Sequence, residues 1–193
     1  ITTVAQTVTI ENNSANAINS PELIVTALDT LSVKAGAVID TGAAATKPIQ
    51  KTIETIGNGA LLALSSKNDI SYSRVGGSAA AANGVLNVEA GSILKAGNSL
   101  VVDATKTTTL ASNPILQNGG TAYFGANSIL LGNAPTNTAG LNLNAAAFDA
   151  LGQLKSLTLS SYNNVDTFGV FNLGNTNLDL TINAAGIAGN LGN

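Results

Sequence analysis

Eight cations and eleven carboxylates are the only charged side chains in 193 residues, and the chain contains neither His nor Cys. That removes Ser-His-Asp and Cys-His triads, thiolate nucleophiles and zinc sites built on imidazole or sulfur. Asp and Glu remain for acid–base work, and polysaccharide-cleaving folds use such acids in pairs on one face. Asp40, Glu54, Asp69, Glu89 and Asp103 fall about one per strand or turn, and Glu89 with Asp103 is the first pair to examine. Against that stands the plainer reading of solvated charges on an outer face, which the scatter favours. Gly76-Gly77 and Gly119-Gly120 are the only Gly pairs, and neither continues as the Gly-x-Asp of a calcium-binding repeat. No Gly-x4-Gly-Lys-Ser/Thr phosphate loop occurs. The sequence assigns no catalytic residue, no metal ligand and no cofactor, and the expectation is a protein that is not an enzyme.

Binding chemistry is equally sparse. Tyr72, Tyr123 and Tyr162 stand out because aromatics supply 4% of residues. Exposed, they would stack on sugar rings or anchor a partner; the plainer expectation is that they cover ends of the fold or pack beneath loops. Asn residues at successive turns suit stacked amide ladders, a structural role. The small-residue stretch Val75–Gly84 reads as a protruding loop and a candidate contact surface, while the binding residues themselves stay unassigned. With a net charge of −3 and no cluster of Lys or Arg, nucleic acid and anionic membranes are poor partners.

The elements that carry these residues follow from a recurring phrase. Leu31-Ser-Val-Lys-Ala-Gly-Ala-Val-Ile39 returns as Leu86-Asn-Val-Glu-Ala-Gly-Ser-Ile-Leu94, and more loosely as Ala122-Tyr-Phe-Gly-Ala-Asn-Ser-Ile-Leu130. Each copy alternates apolar and polar residues, turns on small residues and resumes as a second strand, which puts one face inward and one toward water. Related strands are predicted at Thr3–Ile10, Leu23–Ala27, around Ile53, at Leu61–Leu64, Ile70–Tyr72, Leu141–Leu143, Leu157–Leu159, Phe168–Phe171 and Leu178–Ile182. Corresponding strands recur every 16 to 22 residues, the pattern of a stacked solenoid of roughly 20 residues per coil. Dividing the chain by that repeat gives about nine or ten coils and a length on the order of 45 Å at the spacing of paired strands. One stretch departs from the alternation: Asn144–Lys155 has apolar residues at near-helical spacing behind a capping Asn, and predicts a short helix near 145–155.

Composition agrees. Charged residues are 10% of the chain against roughly 25% in ordinary soluble domains, and Asn, Thr and Ser make up roughly a third. Small side chains suit a narrow interior repeated many times. No linker composition interrupts 1–193, which reads as one solenoidal unit. A chain opening on Ile1 and lacking Met reads as a piece of a longer protein. No apolar run approaches the ~18 residues that span a bilayer, so membrane insertion is not expected.

Gly59–Val75, Gly84–Leu110 and above all Leu151-Gly-Gln-Leu-Lys-Ser-Leu-Thr-Leu-Ser-Ser-Tyr-Asn-Asn-Val-Asp-Thr-Phe-Gly169 resemble the filamentous haemagglutinin family of large bacterial two-partner-secretion exoproteins. The closing Leu178–Gly189 stretch is in the same style. The resemblance implies a right-handed parallel β-helix, export through an outer-membrane secretion partner, and a place on the bacterial surface or outside the cell. It also implies adhesion to a host-cell or bacterial-surface receptor or glycan, or a role as the stem of a contact-dependent toxin. The family's Asn-Pro-Asn secretion motifs are missing, since Asn113-Pro-Ile-Leu116 is not one, and no Arg-Gly-Asp occurs. The match is therefore to an interior stretch of the fibre.

Overall fold

The computed structural model describes residues 5–111, 115–117, 119–151, 154–170 and 177–190. Strand accounts for 57% and helix for 5%, so alternation wins over the Ala-rich composition and the fold is all-β. The chain lays down β1 (Thr7–Ile10), β2 (Ile18–Asn19), β3 (Glu22–Ala27), β4 (Thr30–Val33) and β5 (Val38–Asp40). It then makes an excursion through β6 (Ile49–Ile56), β7 (Ala60–Ser65) and β8 (Asn68–Val75). It resumes with β9 (Val85–Val88), β10 (Ile93–Ala96), β11 (Ser99–Ala104), β12 (Thr107–Leu110), β13 (Ile115–Gln117), β14 (Gly120–Ala126) and β15 (Ile129–Gly132). After β16 (Leu141–Leu143) come the helix α1 (Ala145–Leu151), β17 (Leu154–Ser161), β18 (Asn164–Phe168), β19 (Asp179–Asn183) and β20 (Gly186–Asn190).

These strands form five sheets. Sheet A runs β1-β4-β9-β12, sheet B β2-β5-β10-β13, sheet C β3-β7-β11-β14-β17-β19, sheet D β6-β8 and sheet E β16-β15-β18-β20. Every pairing is parallel except that β7 runs antiparallel to both β3 and β11. The first two copies of the recurring phrase are register partners, Leu31 on Leu86, Val33 on Val88 and Ile39 on Leu94. The third copy lies elsewhere, with Ala122 in sheet C and Ile129 in sheet E. A strand–turn–strand phrase can be used at any corner of the fold, because alternation specifies a face and not a sheet.

Register partners lie 21 to 23 residues apart in undisturbed stretches, with 22 for Leu100 on Ala122 and Val165 on Ile187. Two excursions interrupt that repeat, so Leu31 meets Leu86 and Ala122 meets Leu157. The deepest stack is therefore the six strands of sheet C, about 24 Å at ~4.8 Å per strand, and not the nine or ten layers the simple division suggests.

Inward positions make one long core. Leu31, Val33, Ile39, Leu86, Val88 and Leu94 are buried, as are Leu100, Phe124, Ile129 and Leu157; each such side chain contributes about 1.5–3 kcal/mol. Ile93, beside Leu94, points outward and is 36% exposed. The tight turns between strands need a positive φ: Gly36 (+79°) and Gly91 (+80°) hold equivalent places in the first two copies of the phrase, a conformation costly to any residue with a Cβ.

The helix is shorter than its apolar spacing suggests. Asn144 caps it, Oδ1 accepting from the Ala147 N–H at 3.0 Å, but Leu154 already belongs to β17. α1 packs on β13 and β16, and Phe148 reaches the core, so it covers the edge strands of sheets B and E. Strand β18 spans Asn164–Phe168 and so ends where the predicted Phe168–Phe171 begins; Phe171 lies outside the described residues, as do Thr3 and Val4 of the first predicted strand.

The excursion builds a second layer. Leu61-Leu-Ala-Leu64 is apolar without alternation because β7 is covered on both faces: Leu62 and Leu64 join the main core, and Leu61 and Ala63 face the β6–β8 ribbon. There they meet Ile53, Ile70, Tyr72 and Val101 in a smaller apolar cluster.

Candidate functional site: a charge node under a ribbon beside a groove

Strand β11 is buried along its whole length. Its inward residues are Leu100, Val102 and Ala104, so Ser99, Val101 and Asp103 face the ribbon. Asp103 is thus not a solvated surface charge but has no exposed side-chain area at all. Its Oδ2 accepts from the Tyr72 hydroxyl at 2.7 Å and from Arg74 Nε at 2.7 Å, and its Oδ1 accepts from the Tyr162 hydroxyl at 2.8 Å. Arg74 Nη2 lies 2.6 Å from Oδ2 as an ion-pair contact, yet makes no hydrogen bond of good geometry. Nη1 donates to the Gly57 carbonyl at 3.0 Å, and Thr55 Oγ1 is 2.7 Å from the Tyr72 hydroxyl. The node ties β6, β8, β11 and the turn after β17 together.

Its electrostatics follow from burial. Burial is the largest influence and works against the charge on Arg74, but the attraction and hydrogen bond of Asp103, with Tyr72 and Tyr162, together outweigh it and the guanidinium pKa rises. Burial first, and then the Asp103 carboxylate, push the Tyr72 and Tyr162 hydroxyls well above the ordinary tyrosine range. The same two causes push Tyr123 up to about 12. Gly125 is Asp103's register partner on β14, and a methyl group there would overlap Oδ1. A carboxylate held by a cation and two hydroxyl donors is a structural lock with no lone pair aimed at solvent.

Tyr72 is buried and Tyr123 and Tyr162 half-buried; Tyr72 and Tyr123 pack edge-on, ring centres 4.8 Å apart and planes at 85°. Their place beneath the ribbon is a case of the plainer expectation. Sequence reasoning missed that Tyr72 and Tyr162 converge on Asp103. The available signal was scarcity, since Arg74 is the chain's sole Arg and sits on a strand two residues from Tyr72.

Glu89 and Asp103 do not come together. Glu89 follows β9 of sheet A, where Lys34 Nζ donates to Oε1 at 2.7 Å and the Ala35 N–H to Oε2 at 3.1 Å. The Lys34 hydrogen bond, helped by Ala35, holds the Glu89 carboxyl below its usual range and raises Lys34 in turn. Asp40 is similar: its Oδ1 accepts from the Gly42 N–H at 2.7 Å and Lys95 Nζ lies 3.1 Å from Oδ2, which together lower its pKa. Both pairs join equivalent positions of the first two phrase copies. Glu54 faces solvent on β6, and Asp69 accepts from Gln50 Nε2 at 3.1 Å and from Asn98 Nδ2. Among the described residues no group of three or more acids is placed to hold a metal ion.

A groove of about 570 Å³ lies beside the node, within the size range of ligand sites. One wall is β8 from Asp69 to Arg74, and the floor is the outward face of β14, β17 and β19. Register sets the floor in rows: Thr121 beside Ser156, Tyr123 beside Thr158 and Thr181, Ser160 beside Asn183. Small hydroxyls dominate, and Asp69 is the sole carboxylate in the lining.

The Val75–Gly84 loop is exposed, but it is fastened. Gly57 N–H donates to the Val75 carbonyl at 2.8 Å, Asn127 Nδ2 to the Ala79 carbonyl at 2.7 Å, and Asn83 Nδ2 to the Leu28 carbonyl at 3.0 Å. Asn12 likewise brackets Val38, accepting from its N–H at 3.2 Å and donating to its carbonyl. These asparagines clamp main chain between layers in place of stacking as amide ladders. No helix among the described residues is long and apolar enough to cross a membrane.

No family model, no curated protein and no solved structure matches the chain.

Proposed function

We propose that the chain is a structural and contact module of a secreted bacterial surface protein, wound as a right-handed parallel β-helix in the manner of the filamentous haemagglutinins. The observation that carries this reading is the in-register stacking of the first two phrase copies, Leu31 on Leu86 through Ile39 on Leu94, with opposite charges stacked at Lys34–Glu89 and Asp40–Lys95. Parallel layers of that kind extend by repetition, which suits a stalk. The absence of basic clusters and the low charge fit a surface that works by shape and hydrogen bonding. The groove beside β8 is its candidate contact surface.

A polysaccharide-cleaving enzyme draws less support. Its candidate acids, Glu89 and Asp103, lie in different sheets, and the groove offers Asp69 where such hydrolysis needs two carboxyl groups. The stem of a contact-dependent toxin is the same object physically.

The test uses the chain displayed on beads against host and bacterial cells, beside small-angle scattering of the free chain. Attachment that is lost when the groove is filled by Thr158→Trp supports the contact reading. A spherical particle, or attachment indifferent to both Thr158→Trp and replacement of the 75–84 loop, removes it.

A further inference from the structure

Strand β8 leaves half of its backbone hydrogen-bonding groups pointing away from β6, on the side of the groove. Ile49 N–H donates to the Lys67 carbonyl at 3.0 Å and Gly57 N–H to the Val75 carbonyl at 2.8 Å. These bonds fix which β8 residues bond β6: positions 67, 69, 71, 73 and 75. A parallel strand directs alternate residues to opposite sides, so Asn68, Ile70, Tyr72 and Arg74 present their backbone groups the other way. The inner end of that edge is already used. Ser99 Oγ accepts from the Ile70 N–H at 3.0 Å, and the Asn68 carbonyl accepts from Ser99 Oγ at 2.6 Å and Asn98 Nδ2 at 2.9 Å. Beyond it, the Ile70 carbonyl and both backbone groups of Tyr72 and Arg74 have no partner among the described residues.

We infer that the groove binds an extended peptide as a third strand of the ribbon, paired to the Ile70–Arg74 edge of β8. The inference rests on the reading of the groove as a contact surface and names its occupant. Edge carbonyls and amides recur along the wall at the pitch of a strand. The rows of Thr158, Thr181, Ser160 and Asn183 beneath offer hydroxyls and an amide to small polar side chains at alternate positions. Asp69 receives only neutral donors from Gln50 and Asn98, so a Lys or Arg on the peptide at that end completes its charge. At the other end Tyr162 and the Arg74 stem lie against Gly77. A sugar is the poorer fit because the two rings in the lining, Tyr72 and Tyr123, are spent on each other. The Asp103 node holds the wall rigid, since Tyr72 and Arg74 supply both the free edge and the anchors beneath it.

Two fluorescent hexapeptides of Thr and Ser, with one Lys at either the N- or the C-terminal end, test this against the whole chain by anisotropy and hydrogen exchange. One of them is expected to bind and to slow exchange at the Tyr72 and Arg74 amides at least about tenfold, while Ser71 and Ser73, already paired to β6, stay unchanged. N-methylation of alternate peptide amides should weaken binding at least about tenfold, since each lost hydrogen bond is worth about that factor. Thr158→Trp, or Thr181→Trp if the first perturbs the fold by circular dichroism, should abolish it. Failure of both peptides to bind up to about 1 mM, or binding indifferent to N-methylation, overturns the inference. Capture of an oligosaccharide in their place, lost in Thr158→Trp, overturns it in favour of a glycan. Cell attachment without peptide binding removes the peptide and leaves the contact reading; peptide binding without cell attachment does the reverse.

Discussion

Replacing Arg74 with Met removes the cation that faces Asp103 while keeping an apolar stem of similar reach in the small core. Asp103 has no exposed side-chain area and Arg74 only 4%, so water cannot take over the lost role. Breaking one side of a buried pair costs about 3–5 kcal/mol. Two hydroxyl donors to the carboxylate remain, each bond of this charged kind worth about 1.5–3 kcal/mol. The lower end, about 3 kcal/mol at pH 7, is therefore expected. Adding Asp103→Asn removes the stranded charge but keeps an acceptor for the tyrosines, and should recover about 1.5 kcal/mol or more. Urea unfolding at pH 7 measures these quantities, and hydrogen exchange along β6 and β8 shows whether the ribbon loosens first. An Arg74→Met midpoint equal to that of the parent, or a double variant as damaged as the sum of the singles, refutes the reasoning.

The parent chain should keep a constant urea midpoint between about pH 5.5 and 9, because no His titrates there. Above about pH 10 stability should fall together with the rise of tyrosinate absorbance: the raised Tyr72, Tyr123 and Tyr162 contribute stability below their unfolded pKa that is lost as pH climbs through the folded values. On the acid side, Asp40 and Glu89 are lowered, so their contribution is complete above ~4 and disappears only below it. Val88→Asp should unfold the chain or cost several kcal/mol as a buried unpaired charge, whereas Glu89→Ala, one residue on and at the surface, should leave the thermal midpoint within experimental scatter. Gly125→Ala should displace Asp103 and lower stability by about 2 kcal/mol or more, read from the same urea curves; an unchanged midpoint would mean the node is not as tight as its distances.

Alternation made the inward sets legible: Leu31, Val33, Leu86 and Val88 were readable as one face and are in fact stacked. Direction was not legible, because a period of two is the same forwards and backwards, and nothing in Ala60–Ser65 announces that β7 runs against its neighbours. Its unbroken apolar run did carry a usable signal, since a strand buried on both faces implies a second layer. The pairing of Glu89 with Asp103 failed for a reason of spacing. Parallel partners in sheets A and C are 22 or 23 apart or, across the two excursions, 55 and about 35 apart, and those two are 14 apart. The Asp103 node was hidden because its parts come from positions 55, 72, 74, 103 and 162, brought together only by that excursion.

The reversed strand also governs how the chain can fold. A purely parallel stack grows by adding each layer to the last, in either direction, with only neighbour contacts required. Here β3 never touches β11; β7 lies between them. Layers emerging from the N-terminus can therefore extend sheets A and B from β4 and β5, but sheet C stops at β3 until residues 60–65 have turned back into place. Closing the 55-residue interval from Leu31 to Leu86 in place of a 22-residue one costs only about 0.8 kcal/mol of loop entropy. The impediment is geometrical: β7 must be seated with the ribbon over its outer face before β11 has an edge to meet. Folding thus has a commitment point a third of the way along the chain, after which the remaining layers add in order.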